Sequence, residues 1–171
     1  MNSEELLSSI LDNSNYNALE SSMNSFTKQY ISKLLMDIIL YVNTNISLGE
    51  ISFCDSYHLD HELSQEIVGV PSAYSAMDSN VKVLSAFAEE YSHLGVAEYD
   101  ALCKEVLLDF MNLHNGLFVV DLSAQNIAEL SLSVPKESDD FNLTGELKGQ
   151  ITLIPVNFPY GTVTFVLLKT A

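Results

Sequence analysis

The chain contains no arginine, and only seven lysines stand against 23 acidic residues, a formal charge of −16. Affinity for nucleic acid comes largely from Lys and Arg that neutralise phosphates. Nucleic acid is therefore a poor partner, and an anionic membrane surface is poor for the same reason. The bidentate guanidinium forks that clamp a phosphorylated small substrate are absent altogether. A protein partner with a basic patch suits this charge better, and the same charge serves solubility.

Cysteine is scarce too. Cys54 and Cys103 lie far apart and fit neither a disulfide framework nor a metal-ligand spacing. Two free, buried thiols are expected, in keeping with a reducing cytoplasm. Long hydrophobic runs are missing. The most apolar early stretch, residues 34–42, is interrupted by Asp37 and falls short of the roughly 18 uncharged apolar residues of a membrane span. Glu4 and Glu5 precede the first apolar run without a basic segment before them, so an export signal is not expected. No glycine-rich phosphate loop, nucleophile elbow or HExxH helix occurs.

What is present reads as one domain with a core. The chain is 47% hydrophobic and 18% charged, values ordinary for globular proteins, and a chain of this size buries roughly 70% of its unfolded surface. Leu and Ile at helical spacing predict a helix over the first half of residues 3–24, with Ser3 as its N-cap. Phe26, Tyr30, Leu34, Ile38 and Tyr41 predict a second helix over 26–42. After a turn at 43–49, residues 50–77 lean towards strand, punctuated by Gly69 and Pro71.

Val81, Leu84, Ala88 and Tyr91 line one side of a further helix, capped by Asp78 or Ser79 and ended by 93–95. Another helix is expected from near Val96 to Gly116, where glycine makes a good stop. The run LFVVDL at 117–122 and the alternating ELSLSV before Pro135 read as strands, and KESDDFN at 136–142 as a polar loop. Segments 145–156 and 161–168 read as a closing pair of strands, turned at Pro159 and Gly161. The simplest architecture is α+β: an antiparallel sheet with long helices packed on one face.

The segment 98–115, EYDALCKEVLLDFMNLHN, carries the strongest signal. At roughly 100° per residue, Tyr99, Leu102, Cys103, Val106, Phe110 and Leu113 form one apolar, core-facing stripe. Glu98, Glu105, Asp109 and Asn112 gather beside it within an arc of about 60°. The spacing predicts a helix over 97–115 with Leu102, Val106, Phe110 and Leu113 buried and the polar arc at the surface. Such an arc is first of all a solvated helix face. Glu105 and Asp109, like charges at i and i+4, cost that helix a few tenths of a kcal/mol, and Asn112 is a weak helix former in mid-helix.

Glu105, three residues, Asp109, two residues, Asn112 and then Pro135 after about twenty-two more resemble the motif of the CheC/CheX chemotaxis phosphatases. FMNLHNG, LSVP and the closing strand pair are also similar, over residues 78–170. The resemblance implies a CheX-like domain over 1–171 with an extended helical N-terminal segment (1–47). It implies that the protein acts on a phosphorylated CheY-type receiver domain and dephosphorylates its aspartyl phosphate, or docks on such a domain as a catalytically inactive module. By resemblance Asp109 forms a salt bridge to the receiver's active-site lysine and Asn112 orients the attacking water. Glu105, Glu98 and Pro135 belong to the partner-binding surface. No cofactor of the chain's own is implied, because the magnesium is carried by the receiver. A cytoplasmic homodimer is implied, pairing through an exposed strand at 162–168. Glu105 stands where the family has Asp or Ser, and Asp109 where it has Glu, one methylene shorter.

Other candidates read as structural. His58, Leu59, Asp60 and His61, with Glu62 and Glu66 nearby, lack a defined ligand geometry and read as a polar loop or strand end, so no metal is assigned. His93 and His114 stand alone, His114 near a helix C-terminus that favours an imidazolium. Ser8, Asp12 and Asn15 repeat the motif spacing without a proline at the matching distance, and read as coincidence.

Overall fold

The computed structural model describes residues 1–146 and 150–170. Three helices come first: α1 (Ser3–Asp12), α2 (Tyr16–Leu19) and α3 (Ser25–Tyr41). Five strands follow, β1 (Ser47–Leu48), β2 (Ser52–Cys54), β3 (Ser56–Leu59), β4 (Glu62–Val68) and β5 (Ala73–Asp78). Then come α4 (Val81–Ser92) and α5 (Ala101–Ala124), and finally β6 (Ser131–Leu132), β7 (Lys136–Ser138), β8 (Phe141–Thr144), β9 (Ile151–Phe158) and β10 (Gly161–Lys169).

Among the described residues eight strands form one sheet along the path β1-β9-β10-β5-β4-β6, with β2 also on β9 and β7 also on β4. All its pairings are antiparallel. Side chains alternate across it, as the two-residue strand period requires. Val163, Phe165 and Leu167 of β10 join the helices in the main core. Val166 and Ile151 point the other way, to a smaller core closed by Leu59 and Leu143 of the separate β3–β8 pair. Long helices therefore cover one face of an antiparallel sheet. None of the described helices is long and apolar enough to cross a membrane.

Local chemistry sets the boundaries. Each long helix starts at an Asx cap whose Oδ1 accepts a backbone N–H three residues on: Asn2 from Glu5, Asn24 from Thr27, Asn80 from Val83 and Asp100 from Cys103, at 2.8–3.0 Å. The caps expected at Ser3 and at Asp78 or Ser79 thus move one or two residues, to asparagines. Pro155 accepts from Gly49 N at 2.7 Å through its carbonyl but has no N–H to return. The edge pairing breaks there, into β1 on one side and β2 on the other. Gly161 turns the β9–β10 hairpin at φ 142°, and a Cβ there would stand 2.6 Å from Val83 Cγ2.

Several expectations are corrected. Residues 117–122 are helix, not strand. Gly116 does not end α5, because Phe118 and Leu122 extend its buried stripe and Phe118 packs edge-on against Phe26 and Tyr30 at 5.2 and 5.4 Å. That packing outweighs the roughly 1 kcal/mol that glycine costs mid-helix. The strand expected before Pro135 is only β6, and the polar loop contains β7 and part of β8. The closing pair is present as β9 and β10, and residues 147–149 of the expected penultimate strand lie outside the described residues. Leu102 is exposed and Leu113 only half-buried, whereas Val106 and Phe110 are buried. Of the cysteines Cys103 is buried and Cys54 partly exposed, both as free thiols. Strand β10 is no edge: it pairs with β9 over residues 161–168 and with β5 over 164–169, so residues 164–168 of the expected edge have no free side for a two-fold partner.

His114 is the largest surprise. It lies mid-helix and fully buried, with Nδ1 3.1 Å from Asp37 Oδ2 of α3. Lys33 meets the other Asp37 oxygen at 3.5 Å and Asp121 at 3.4 Å. Burial pushes the imidazole below its ordinary value of 6.5, against the pull of Asp37. The ring is therefore neutral at pH 7 and its Nδ1–H donates to a carboxylate that Lys33 balances. A group with a depressed folded value contributes stability above its unfolded value and loses it as pH falls. Stability is expected to decline as pH drops below about 6.5. In chemical denaturation at stepped pH, His114→Gln should flatten that decline.

Candidate functional site

The exposed arc of α5 is built on a helix held from behind. Phe110 packs against Phe87, Tyr91 and Phe165 at centroid distances of 5.0, 5.3 and 6.3 Å. With Phe110 facing in, Glu105, Asp109 and Asn112 face out, and all three are exposed. The Tyr91 hydroxyl of α4 donates to Asp109 Oδ2 at 2.8 Å. That anchors one carboxylate oxygen and leaves Oδ1 at the surface. Burial, then the neighbouring carboxylate, raises the Tyr91 phenol well above its usual range, so it remains a donor.

Asn112 is fixed differently. Gln65 Nε2, from β4, donates to Asn112 Oδ1 at 2.8 Å and to the Ser133 carbonyl at 2.8 Å. Ser133 is sewn to the same strand, since its N–H donates to Glu66 O at 3.0 Å and its Oγ accepts from Glu66 N at 2.9 Å. The segment leading to half-buried Pro135 is thereby brought beside Asn112 from more than twenty residues further along the chain. Val134, between them, is 85% exposed and offers an apolar contact at the rim.

A groove of about 520 Å³ runs between α4 and α5, lined by Tyr91, Ser92, Leu94, Leu102, Glu105, Val106 and Asp109. Its apolar part is open, with Leu94 63% and Leu102 38% exposed. Carboxylates beside exposed leucines suit a partner surface that carries both a lysine and apolar side chains. Glu98 does not belong to this arc. It sits in the loop before α5, where its carbonyl accepts from Asp100 N at 3.0 Å, because the Asp100 cap starts the helix later than the periodicity suggests.

No family model and no curated protein sequence matches the chain. Solved structures do. A CheC-like superfamily protein from Shewanella sp. PV-4 superposes with a TM-score of 0.72 at 15% identity, over 87% of this chain and 100% of its own. The chemotaxis protein CheX from Vibrio vulnificus gives 0.69 at 9% identity, over 86% and 100%. The chain has the CheC/CheX-like fold. A chain of the CheX–CheY–BeF3–Mg2+ complex from Borrelia burgdorferi gives 0.51 at 12% identity, over 86% and 99%.

Within this CheC/CheX-like frame the remaining sequence candidates take other places. Ser8, Asp12 and Asn15 do not form a second arc. Helix α1 ends at Asp12, and the Asn15 amide is tied to Ile51, donating to its carbonyl at 3.0 Å and accepting from its N–H at 2.9 Å. His61 leaves the histidine cluster and packs on Tyr99 at 4.8 Å. Glu62 turns into a network with Ser138, Tyr74 and Lys136. His58 and Asp60 are joined instead by Asp140, each carboxylate 3.3 Å from His58 Nε2. His58 Nδ1 donates to Asn142 Oδ1 at 2.7 Å. That bond first, and the two aspartates after it, raise this imidazole above its ordinary value, opposite to His114. His93 caps α4 in the left-handed region at φ 55°. Gln65 was not singled out by the sequence reading. Its signal was there, as a lone amide at an inward position of the alternation Leu63, Gln65, Ile67.

Proposed function

We propose that the protein meets a phosphorylated CheY-type receiver domain with the exposed arc of α5 and promotes hydrolysis of its aspartyl phosphate. The observation that carries this reading is the joint exposure of Asp109 and Asn112 one turn apart on a helix anchored by the core, each already held by a neighbour. Asn112 orients the attacking water. The water's oxygen forms a bond to phosphorus as the bond from phosphorus to the receiver's aspartate oxygen breaks; the carboxylate leaves with that electron pair, and a water proton passes to the phosphate or to solvent. Asp109 Oδ1 meets the receiver's lysine, Glu105 and the leucines of the groove seat its surface, and the magnesium belongs to the receiver. Catalysis of this kind needs position and electrostatics rather than a covalent step. The CheX–CheY complex with the same fold supports the choice of partner, and a cytoplasmic location goes with it.

A second reading is docking without turnover. It is favoured by the short Asp109 side chain, one of whose oxygens Tyr91 already occupies. Phosphate release from acyl-phosphorylated receiver domains decides between them. Asp109→Glu lengthens the reach towards the lysine and is expected to raise the rate, by up to about a hundredfold if the native side chain falls about 1 Å short. No release from wild type or Asp109→Glu, with receiver still captured, leaves docking alone. No capture at all reduces the likeness to one of fold.

A further inference from the structure

Alternate residues of β4 face the helices, and between fully buried Leu63 and Ile67 stands Gln65, 1% exposed. An amide in that stripe is unexpected unless both of its ends are used, because a buried polar group without partners is costly. Both ends are used. Nε2 donates to Ser133 O and to Asn112 Oδ1, each at 2.8 Å, and Oε1 accepts from Asn115 Nδ2 at 3.0 Å. Ser133 offers a backbone carbonyl, which can only accept, so it dictates which end of the Gln65 amide is nitrogen. With one Nε2 hydrogen on Ser133, the other points at Asn112, and Asn112 must answer with its oxygen.

We propose that Gln65 is the positioning residue of this site, locking the Asn112 amide with its NH2 group turned outward to the partner. The proposal rests on the reading of Asn112 as the residue that orients water. Held this way, Asn112 presents two hydrogens outward for phosphoryl oxygens and keeps one lone pair on Oδ1 to accept from a water beside them. Turned the other way, it would meet the phosphoryl group with an oxygen, which repels it. The same chain leaves Asn115 Oδ1 buried with no partner among the described residues. The arrangement therefore carries the cost of one unpaired buried acceptor.

Two measurements test this. The first needs no partner. In isolated wild-type protein, side-chain amide hydrogen exchange followed by NMR is expected to be slow for both Gln65 Nε2 protons and fast for the Asn112 Nδ2 protons. Fast exchange at Gln65 overturns the proposal. The second is phosphate release with Gln65→Met, which matches the shape without the amide. Its kcat is expected to fall about tenfold to a hundredfold, with receiver affinity unchanged and with no further loss when it is added to Asn112→Ala. Full kcat in Gln65→Met, or an equal loss in both backgrounds, overturns the positioning role. Gln65→Asn, which stays polar but is too short to reach both acceptors, is measured beside it and carries the same expectation if Gln65→Met does not fold. If wild-type protein releases no phosphate, the functional reading fails, and the exchange measurement alone decides whether Gln65 holds Asn112.

Discussion

Asn112→Ala is expected to cut phosphate release from a phosphorylated receiver to a small residual rate, a loss on the order of a hundredfold, since a water displaced by about 1 Å already costs that much. The fold should survive. Asn112 is exposed on α5 and touches the buried amide of Gln65 through one hydrogen bond, so removing it leaves one Gln65 N–H without its acceptor and costs about 1–3 kcal/mol. Receiver capture should persist through Asp109, Glu105 and the leucines of the groove. Asn112→Asp is the sharper companion. It keeps an acceptor for Gln65 but replaces the outward NH2 with a second oxygen, and is expected to be as inactive as alanine while melting close to wild type. Phosphate release, thermal melting and receiver capture on the three proteins check this, and an active Asn112→Asp would contradict it.

Phe110→Ala should have the largest effect on stability. The ring is fully buried and packs against four others: Phe87, Tyr91, His114 and Phe165. Truncating a phenylalanine in such a place costs about 3–5 kcal/mol, from lost transfer energy plus the cavity left behind. Whole domains are stable by only about 5–15 kcal/mol, so this is a large share of the total. Urea denaturation should show a large fall in midpoint at unchanged slope. Any receiver binding should weaken with it, because the same ring keeps Asp109 and Asn112 facing out.

The outward arc was legible because it depends on one rule. Buried Val106 and Phe110 fix the rotation of α5, and the polar residues beside them must then be outside. The closing hairpin was legible from Pro159, Gly161 and two alternating apolar runs. The length of α5 was not, because a six-residue apolar run such as LFVVDL fits a buried helix and a strand equally. His114 follows from the same miss. It lies one turn beyond Phe110 and one turn before Phe118, so a longer helix would have placed it on the buried stripe. Strand β7 is three residues and polar, and β8 is only four, too short for its alternation of Phe141 and Leu143 with polar residues to stand out from the loop around it. The link from β4 to Asn112 joins residues 47 positions apart, and no periodicity reports a contact at that distance.

The length of α5 has a consequence for how the proposed partner would find this protein. Asn112 is the twelfth residue of a helix of 24, roughly 18 Å from either end at 1.5 Å per residue. Helix ends fray over about the last turn, and such local opening does not travel to a centre buried on one side. Asp109 and Asn112 therefore stand on the part of the chain that opens only when the whole helix does. The centre of α5 does not have to become ordered at the moment of contact, and the free and bound forms of this face should differ by side-chain rotation alone. Encounter then depends on diffusion and charge rather than on waiting for a rare conformation. With a net −16 on the chain and two carboxylates on the arc, dissolved salt should slow the approach of a basic surface far more than it shortens the life of the complex once formed.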